Sequence, residues 1–311
     1  MGLAQDAVDA INDVSGSHPG HRAAHAKGTL LSGSFTATPA AARLTRAAHM
    51  QGEPVRVTAR VSNGGGDPGV PDYAREGRGL AVKLYLPDGS KTDMVALSVP
   101  VFFVRTPEDF IQFTRLRKPD PATGQPDMEK LGAWFGEHPE AGPAVQASLA
   151  AKPPASYAQV AYNGLHAFRW AGADGDSRFI RFGWEPEAGE ADISGEEARE
   201  RGADYLRLEI LDRVEREPAA FRLFVTIAEE GDLTHDPTAA WPPERERVEV
   251  GRLELTGPET EREQSSDDVL VFDPTRVTDG IELSDDPILA FRAKAYSVSI
   301  ERRSGVPAPS A

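Results

Sequence analysis

Short segments in which apolar and polar residues alternate dominate the first third of the chain, and they point to a fold built around β-structure. The segment from Pro54 to Val61 alternates with a period of two. A similar segment from Gly79 to Leu86 ends at the turn Pro87-Asp88-Gly89, and Val95 to Val104 is more continuously apolar. The pattern between Phe35 and Arg105 therefore predicts strands.

Helical and strand-like patterns both continue after this region. Helices are expected at Pro107 to Leu116 and at Asp127 to Leu149, and a second group of strands lies between Gln159 and Leu255. Two signals predict the start of a last helix: aspartate at position 286 is a good N-cap, and Pro287 suits the first helical position.

No internal repeat or clear linker divides the 311 residues. We therefore expect an α+β fold, with one domain over residues 1–311 that is built on an antiparallel β-barrel with added helices. A short amphipathic helix is expected at residues 4–14 and a frayed tail at residues 306–311.

The net charge of -15 argues against binding to nucleic acid or to anionic membrane surfaces. The chain has no cysteine, which excludes disulfides, thiolate-ligated haem and iron–sulfur clusters. No stretch approaches the length and apolarity of a membrane span, and residues 1–6 lack a secretory pattern. We therefore expect a cytoplasmic protein.

Two short motifs carry the chemistry. Arg292 and Tyr296 are four residues apart, so a helix places them one turn apart on the same face. A guanidinium beside a tyrosine favours the phenolate, which is a ligand for ferric iron. Near the other end of the chain, Arg22 and His25 stand in the pattern Arg-x-x-His-Ala-Lys-Gly.

Together these motifs resemble the haem-containing catalase family, and within it the small catalase-related peroxidases. The resemblance spans about His18 to Gly305. Further matching segments occur in the family's order: Arg60-Val-Ser62, Arg78-Gly-Leu-Ala-Val-Lys83-Leu-Tyr85 with Asp88-Gly89, Pro100-Val-Phe102-Phe103-Val-Arg105, Asn163-Gly-Leu-His166-Ala-Phe168 and Val271-Phe272-Asp273-Pro274.

The resemblance implies a haem b cofactor (iron protoporphyrin IX) whose iron is held by Tyr296, with Arg292 keeping the phenolate ionised. It implies that His25 is the acid–base residue that takes a proton from the peroxide and returns it to the departing oxygen, leaving a ferryl haem. Ser62 matches the position that hydrogen-bonds the ring of this histidine.

Four further residues gain roles from the same resemblance. Arg22 and Arg60 match positions that meet the haem propionates, where guanidinium groups offset buried carboxylates. Phe110 or Phe113 is expected to stack on the porphyrin, and either can instead be an ordinary core aromatic. His166 is expected near the haem edge, or as a satisfied core histidine.

A small zinc site is the alternative for the histidines at the start of the chain. His21 and His25 have a helical spacing, but no glutamate follows as it does in zinc hydrolases, and Pro19 and Gly20 interrupt a helix. The pattern therefore argues against a zinc site.

The chain departs from the large catalases where they carry Asn-Asn-Thr-Pro, since it has Leu97-Ser98-Val99-Pro100. The missing amide favours a peroxidase that reduces organic hydroperoxides or hydrogen peroxide with an unidentified electron donor. The alternatives are a low-turnover catalase, a fatty-acid hydroperoxide rearrangement enzyme, and a haem-binding or haem-free barrel without peroxide turnover. The short termini favour a monomer or small homo-oligomer.

Overall fold

The computed structural model describes residues 2–259 and 270–304, and its centre is a closed antiparallel β-barrel. The strands are β1 (Gly28–Ala37), β2 (Val55–Asn63), β3 (Arg78–Tyr85), β4 (Lys91–Leu97), β5 (Tyr162–Asn163), β6 (Phe168–Ala171), β7 (Ser177–Pro186), β8 (Ala219–Ile227), β9 (Arg247–Pro258) and β10 (Ile281–Leu283). Eight of them close in the order β7-β5-β4-β3-β2-β1-β9-β8 because β7 also pairs with β8, while β6 and β10 extend the sheet. The expected α+β barrel fold is confirmed.

Eight helices of the described ranges surround the barrel: α1 (Leu3–Ser15), α2 (Pro39–Leu44), α3 (Pro107–Leu116), α4 (Met128–Glu137), α5 (Gly142–Ala150), α6 (Gly195–Arg201), α7 (Tyr205–Arg216) and α8 (Pro287–Ser304). Helix α1 packs against both α3 and α8. The helix expected at residues 4–14 is therefore α1, and α3 has the predicted bounds. None of the helices in residues 2–259 and 270–304 is long and apolar enough to cross a membrane.

The main hydrophobic core follows from the alternation along the strands. Val57, Ala59 and Val61 of β2 are fully buried and pack in one cluster with Leu80 and Val82 of β3. Complete burial of a valine or leucine side chain stabilises the fold by about 1.5–3 kcal/mol. The residues between them along each strand face the opposite side of the sheet, where the candidate site lies.

Three predicted boundaries were wrong. Strand β1 begins at Gly28 rather than near Phe35, because Gly28 pairs with Ser62 of the distant β2. Strand β4 ends at Leu97 and does not continue to Val104, since Ser98 turns away and its hydroxyl accepts a hydrogen bond from the backbone N–H of Arg78. The helix expected over residues 127–149 is broken around residues 138–141, where Pro139 cannot donate to the helical ladder. The tail at 306–311 lies outside the described residues.

Candidate active site

Two rows of paired residues on β2, β3 and β4 form one wall of a cavity. Each row joins residues that face each other across the strands, and the two rows are two positions apart, so they share one face of the sheet. The rows are Arg60, Ala81 and Val95, and Ser62, Gly79 and Leu97. All six residues line the cavity.

The cavity has a volume of about 240 Å³ and lies between this sheet and three helices. Val8 of α1, Phe110 of α3, and Phe291 and Ala295 of α8 provide its mostly apolar helical walls. We call the α8 side the proximal wall. The side formed by β2–β4 and the segment from Arg22 to His25 is the distal wall.

Tyr296 and Arg292 form a clamped pair on the proximal wall. Arg292 donates to the Tyr296 Oη from Nε at 3.0 Å and from Nη2 at 2.5 Å. Both residues line the cavity, as the helical spacing predicted. Two hydrogen bonds from one cation to a single phenol oxygen stabilise its anionic form.

A buried relay extends this pair. Arg292 Nη1 lies 3.0 Å from His166 Nε2, and His166 Nδ1 lies 2.7 Å from the carboxylate Oδ2 of Asp286. Burial lowers the pKa of His166, which favours a neutral ring that donates from Nδ1 and accepts at Nε2. Asp286 Oδ1 also accepts from the backbone N–H groups of Ile288 and Leu289, so the N-cap of α8 belongs to the same relay.

His25 occupies the distal wall in an unusual backbone conformation. Its φ is 55°, and it is the one non-glycine residue with positive φ within the described ranges. The backbone is held there because His25 N–H donates to the Gly64 carbonyl at 3.2 Å, and Arg60 Nη1 donates to the His25 carbonyl at 2.7 Å. Its ring Nδ1 lies 3.0 Å from Ser62 Oγ. The predicted His25–Ser62 contact is present.

Gly79 is the cradle in which the His25 ring rests. A Cβ at this position would lie 2.9 Å from Ser62 Oγ and 3.0 Å from both Cε1 and Nδ1 of His25. A side chain at this position would therefore force the Ser62 hydroxyl or the His25 ring to shift.

Burial, together with the positive charges of Arg60, Arg292 and Arg22, lowers the pKa of His25 to about 3. The imidazole is therefore neutral throughout the physiological pH range and available as a proton acceptor.

The two predicted propionate ligands differ in their surroundings. Arg60 is 4% exposed and donates from Nη1 and Nη2 to the backbone carbonyls of His25 and Ala26. Arg22 Nη2 donates to the carbonyl of Leu270 at 3.0 Å. Both line the cavity, so the structure brings them together with the other predicted residues.

The structure distinguishes the two phenylalanines between which the sequence could not choose. Phe110 lines the cavity, whereas Phe113 packs on Trp134 with ring centroids 4.9 Å apart. No group of three or more histidine, aspartate or glutamate side chains that could hold a metal occurs in the described part of the chain. His18 and His21 line a neighbouring, more polar pocket, which gives no support to the zinc alternative.

Three contributions were missed from the sequence. The role of Gly79 follows only from the pairing of β2 with β3, and the sequence predicts Asp286 only as a helix cap. Arg303 also lines the cavity and donates to the same Leu270 carbonyl as Arg22. Its spacing of seven residues from Tyr296, two turns along one helix face, was the signal that could have found it.

These residues fit a haem group. A single guanidinium-clamped oxygen, without a cluster of other ligands nearby in the described residues, suits a metal whose remaining ligands come from a cofactor. Small side chains such as Ala23, Ala24 and Ala81 leave room between the walls.

Comparison with known proteins agrees with this geometry. The family model described as "Catalase" matches residues 6–308, and the chain therefore belongs to the catalase family. It is 45% identical to "Catalase-related peroxidase" of Mycolicibacterium paratuberculosis, over 98% of this chain and 96% of that protein. It is 36% identical to "Catalase-related peroxidase" of Synechococcus elongatus, over 97% of this chain and 89% of that protein.

A solved structure shares the fold. The crystal structure of a fungal catalase matches with a TM-score of 0.82 and 25% identity. The match covers 93% of this chain and 61% of the fungal one, so this chain corresponds to about three fifths of that larger protein.

Proposed function

We propose that this protein is a haem b peroxidase that reduces organic hydroperoxides, and also hydrogen peroxide, with electrons from an external donor. One observation carries the proposal. A cavity of about 240 Å³ has a guanidinium-clamped tyrosine on one wall and a partly buried, neutral histidine on the other. Two relatives that are similar over nearly their whole length are named catalase-related peroxidases.

Tyr296 is the residue that would hold the haem iron, through its phenolate oxygen. Arg292 donates two hydrogen bonds to this oxygen, and His166 with Asp286 fixes the orientation of the guanidinium group. Arg22 and Arg60 supply positive charge that offsets the haem propionates. When bound, the iron porphyrin supplies the two electrons that split the peroxide O–O bond.

His25 moves the proton during this cleavage. Its Nδ1 is held by Ser62, so Nε2 takes the proton from the inner peroxide oxygen and passes it to the outer oxygen. The outer oxygen then leaves as an alcohol or as water rather than as an unstable alkoxide or hydroxide. The low pKa of His25 keeps its neutral, proton-accepting form populated. It also makes the protonated ring a strong proton donor.

The distal wall favours hydroperoxides with an apolar substituent. Leu97 and Val95 line the cavity where a polar amide would orient hydrogen peroxide, and no asparagine or glutamine is among the cavity-lining residues of the described ranges. A second hydrogen peroxide molecule, which dismutation requires, thus lacks a polar guide. An apolar substituent gains contact with these side chains.

Three further points are predictions: the use of an electron donor, which is unidentified, a cytoplasmic location, and a monomeric or small homo-oligomeric state. The catalase family generally binds haem, whereas the haem b type is part of this proposal.

Purified protein loaded with haem tests the proposal directly. We expect a high-spin ferric Soret band, and loss of cumene hydroperoxide in a one-to-one ratio with cumyl alcohol formed, only while a donor is oxidised. Oxygen release from hydrogen peroxide without a donor would instead identify a low-turnover catalase. Hydroperoxide loss without donor oxidation would identify a rearrangement enzyme, and a featureless spectrum after haem supplementation would reject the haem proposal.

A further inference from the structure

A run of aromatic side chains leads from the cavity to helix α4. Phe110 lines the cavity, and its ring centroid lies 5.9 Å from that of Phe103. Phe103 lies 4.9 Å from Phe113, and Phe113 lies 4.9 Å from Trp134. We call these four residues the aromatic run. It is part of a hydrophobic cluster separate from the barrel core.

Trp134 is the readily oxidised member of the run, because an indole loses an electron far more easily than a phenyl ring. Its side chain is 2% exposed, and its Nε1 has no hydrogen-bond partner in the described part of the chain. An indole without a proton acceptor can give up an electron while it keeps its N–H proton. The oxidised side chain is then a radical cation.

The surroundings of Trp134 suit a positive charge. The His138 ring stacks on the indole at 4.1 Å with an interplanar angle of 19°, and His138 Nδ1 lies 3.1 Å from Glu140 Oε1. Partial burial raises the pKa of Glu140, but hydrogen bonds from the backbone and from His138 hold it below its ordinary value. A carboxylate one side chain away from the indole face stabilises a cation there.

The far end of the run is close to solvent. Helix α4 buries Leu131 and Trp134, whereas Phe135 and His138 on the same side are only partly buried. A reductant can therefore approach within one side chain of Trp134 without entering the cavity. The net charge of -15 favours a neutral reductant over an anionic one.

We propose that Trp134 is the residue through which small neutral phenols deliver electrons to the haem cavity, a proposal that rests on the proposed peroxidase function. Reduction of one hydroperoxide to an alcohol and water consumes two electrons and two protons. Each of two phenols loses one electron and one proton to become a phenoxyl radical. Trp134 passes one electron to the cavity and regains one from a phenol, twice per hydroperoxide, while the protons travel through solvent.

Freeze-quench electron paramagnetic resonance on haem-loaded protein tests this proposal. One equivalent of cumene hydroperoxide, without a phenol, should give a tryptophanyl radical whose hyperfine pattern changes when the protein carries ring-deuterated tryptophan. The Trp134→Phe variant should lose this signal. The matched control is Trp170→Phe, because Trp170 is also 2% exposed but belongs to β6 and to the barrel core.

A conservative variant distinguishes electron transfer through Trp134 from a role of Trp134 in packing alone. Trp134→Tyr should replace the tryptophanyl signal with a tyrosyl signal and restore the guaiacol oxidation that Trp134→Phe loses. All variants should show the same rate of Soret change on mixing with hydroperoxide.

The outcomes separate this inference from the proposed function. A Soret change with hydroperoxide but no tryptophanyl radical in the wild-type protein overturns the role of Trp134 and leaves the peroxidase intact. A radical that persists in Trp134→Phe, or that disappears in Trp170→Phe, also overturns it. Absence of any Soret change with hydroperoxide contradicts the proposed function itself, and with it the proposed role of Trp134.

Discussion

The proximal and distal walls of the cavity are built in different ways. The proximal wall is a single helix, α8, in which Tyr296, Arg292 and the capping Asp286 are fixed by local spacing. The distal wall combines a loop with three strands, and the position of His25 depends on Ser62 and on Gly79 from different strands. Local geometry therefore sets the tyrosine side of the cavity, whereas long-range pairing sets the histidine side.

The polar groups on the two walls also differ in charge. Tyr296 is linked through Arg292 and His166 to the carboxylate of Asp286, so a neutral ring lies between the cationic Arg292 and the anionic Asp286. His25 has no carboxylate partner among the described residues, and its ring contacts the uncharged Ser62. The first arrangement stabilises an anion, and the second keeps a base neutral.

The largest effect is expected on the proximal wall. Tyr296→Phe removes the oxygen that Arg292 clamps, so haem loses its anionic ligand and peroxide turnover falls below detection. The absorption spectrum should lose its high-spin ferric character or show little bound haem. Tyr73→Phe, a tyrosine outside the cavity, is the control and should leave the spectrum unchanged. A normal spectrum and turnover in Tyr296→Phe would remove the proximal wall from the site.

A smaller effect is expected on the distal wall. His25→Gln should slow hydroperoxide cleavage by about 10²–10⁴-fold, the usual contribution of a general acid–base residue. Haem binding should persist, because the proximal wall is intact. Stopped-flow measurement of the Soret change gives the rate, and the exposed His235→Gln is the control. Loss of haem together with activity would contradict the prediction that the proximal wall holds the haem while the distal wall transfers the proton.

Removing the charge of Asp286, at the end of the proximal relay, should have a smaller effect than the loss of His25. In Asp286→Asn the amide can still cap α8, but it can offer an N–H instead of an acceptor to His166 Nδ1. His166 then carries its proton on Nε2, which faces Arg292, and the clamp on Tyr296 loosens. Haem affinity or turnover should fall by roughly 10–100-fold. The surface pair Arg46–Asp279 supplies the control Asp279→Asn, and equal effects of the two variants would exclude the relay.

The smallest effect concerns pH. The pKa of His25 is lowered from 6.5 to about 3, so its neutral form persists as the pH falls from 8 to 5. The rate of hydroperoxide cleavage should be flat over this range and decline only as the pH approaches 3, where His25 becomes protonated. A histidine with an ordinary pKa would lose about tenfold per pH unit below 6.5. An acid limb near 6.5 in stopped-flow rates would show that the distal wall is more hydrated than its burial indicates.

The same contrast explains what the sequence could predict. The starts of α3 and α8 follow from local signals, namely an N-cap residue followed by proline. The Arg292–Tyr296 contact required only helical spacing. The barrel class followed from alternation, which reports the buried face of each strand.

Features that depend on distant partners were missed or misplaced. The early start of β1 at Gly28 reflects its pairing with Ser62, and the role of Gly79 reflects the register of β3 on β2. The choice of Phe110 over Phe113 depends on how α3 packs, and both positions look alike in the sequence. No local pattern records which strand lies beside which.

Helices α1 and α8 meet at the cavity although they come from distant parts of the sequence. Asp9 of α1 and Arg302 of α8 are 293 residues apart in the sequence, yet Arg302 Nη1 donates to Asp9 Oδ1 at 2.7 Å. Residues of both helices line the cavity. During translation α8 leaves the ribosome long after α1, so a nascent chain without α8 offers an open half-shell. The α8 side of the cavity is therefore synthesised last, and the proposed cofactor site is complete only once α8 has folded onto α1.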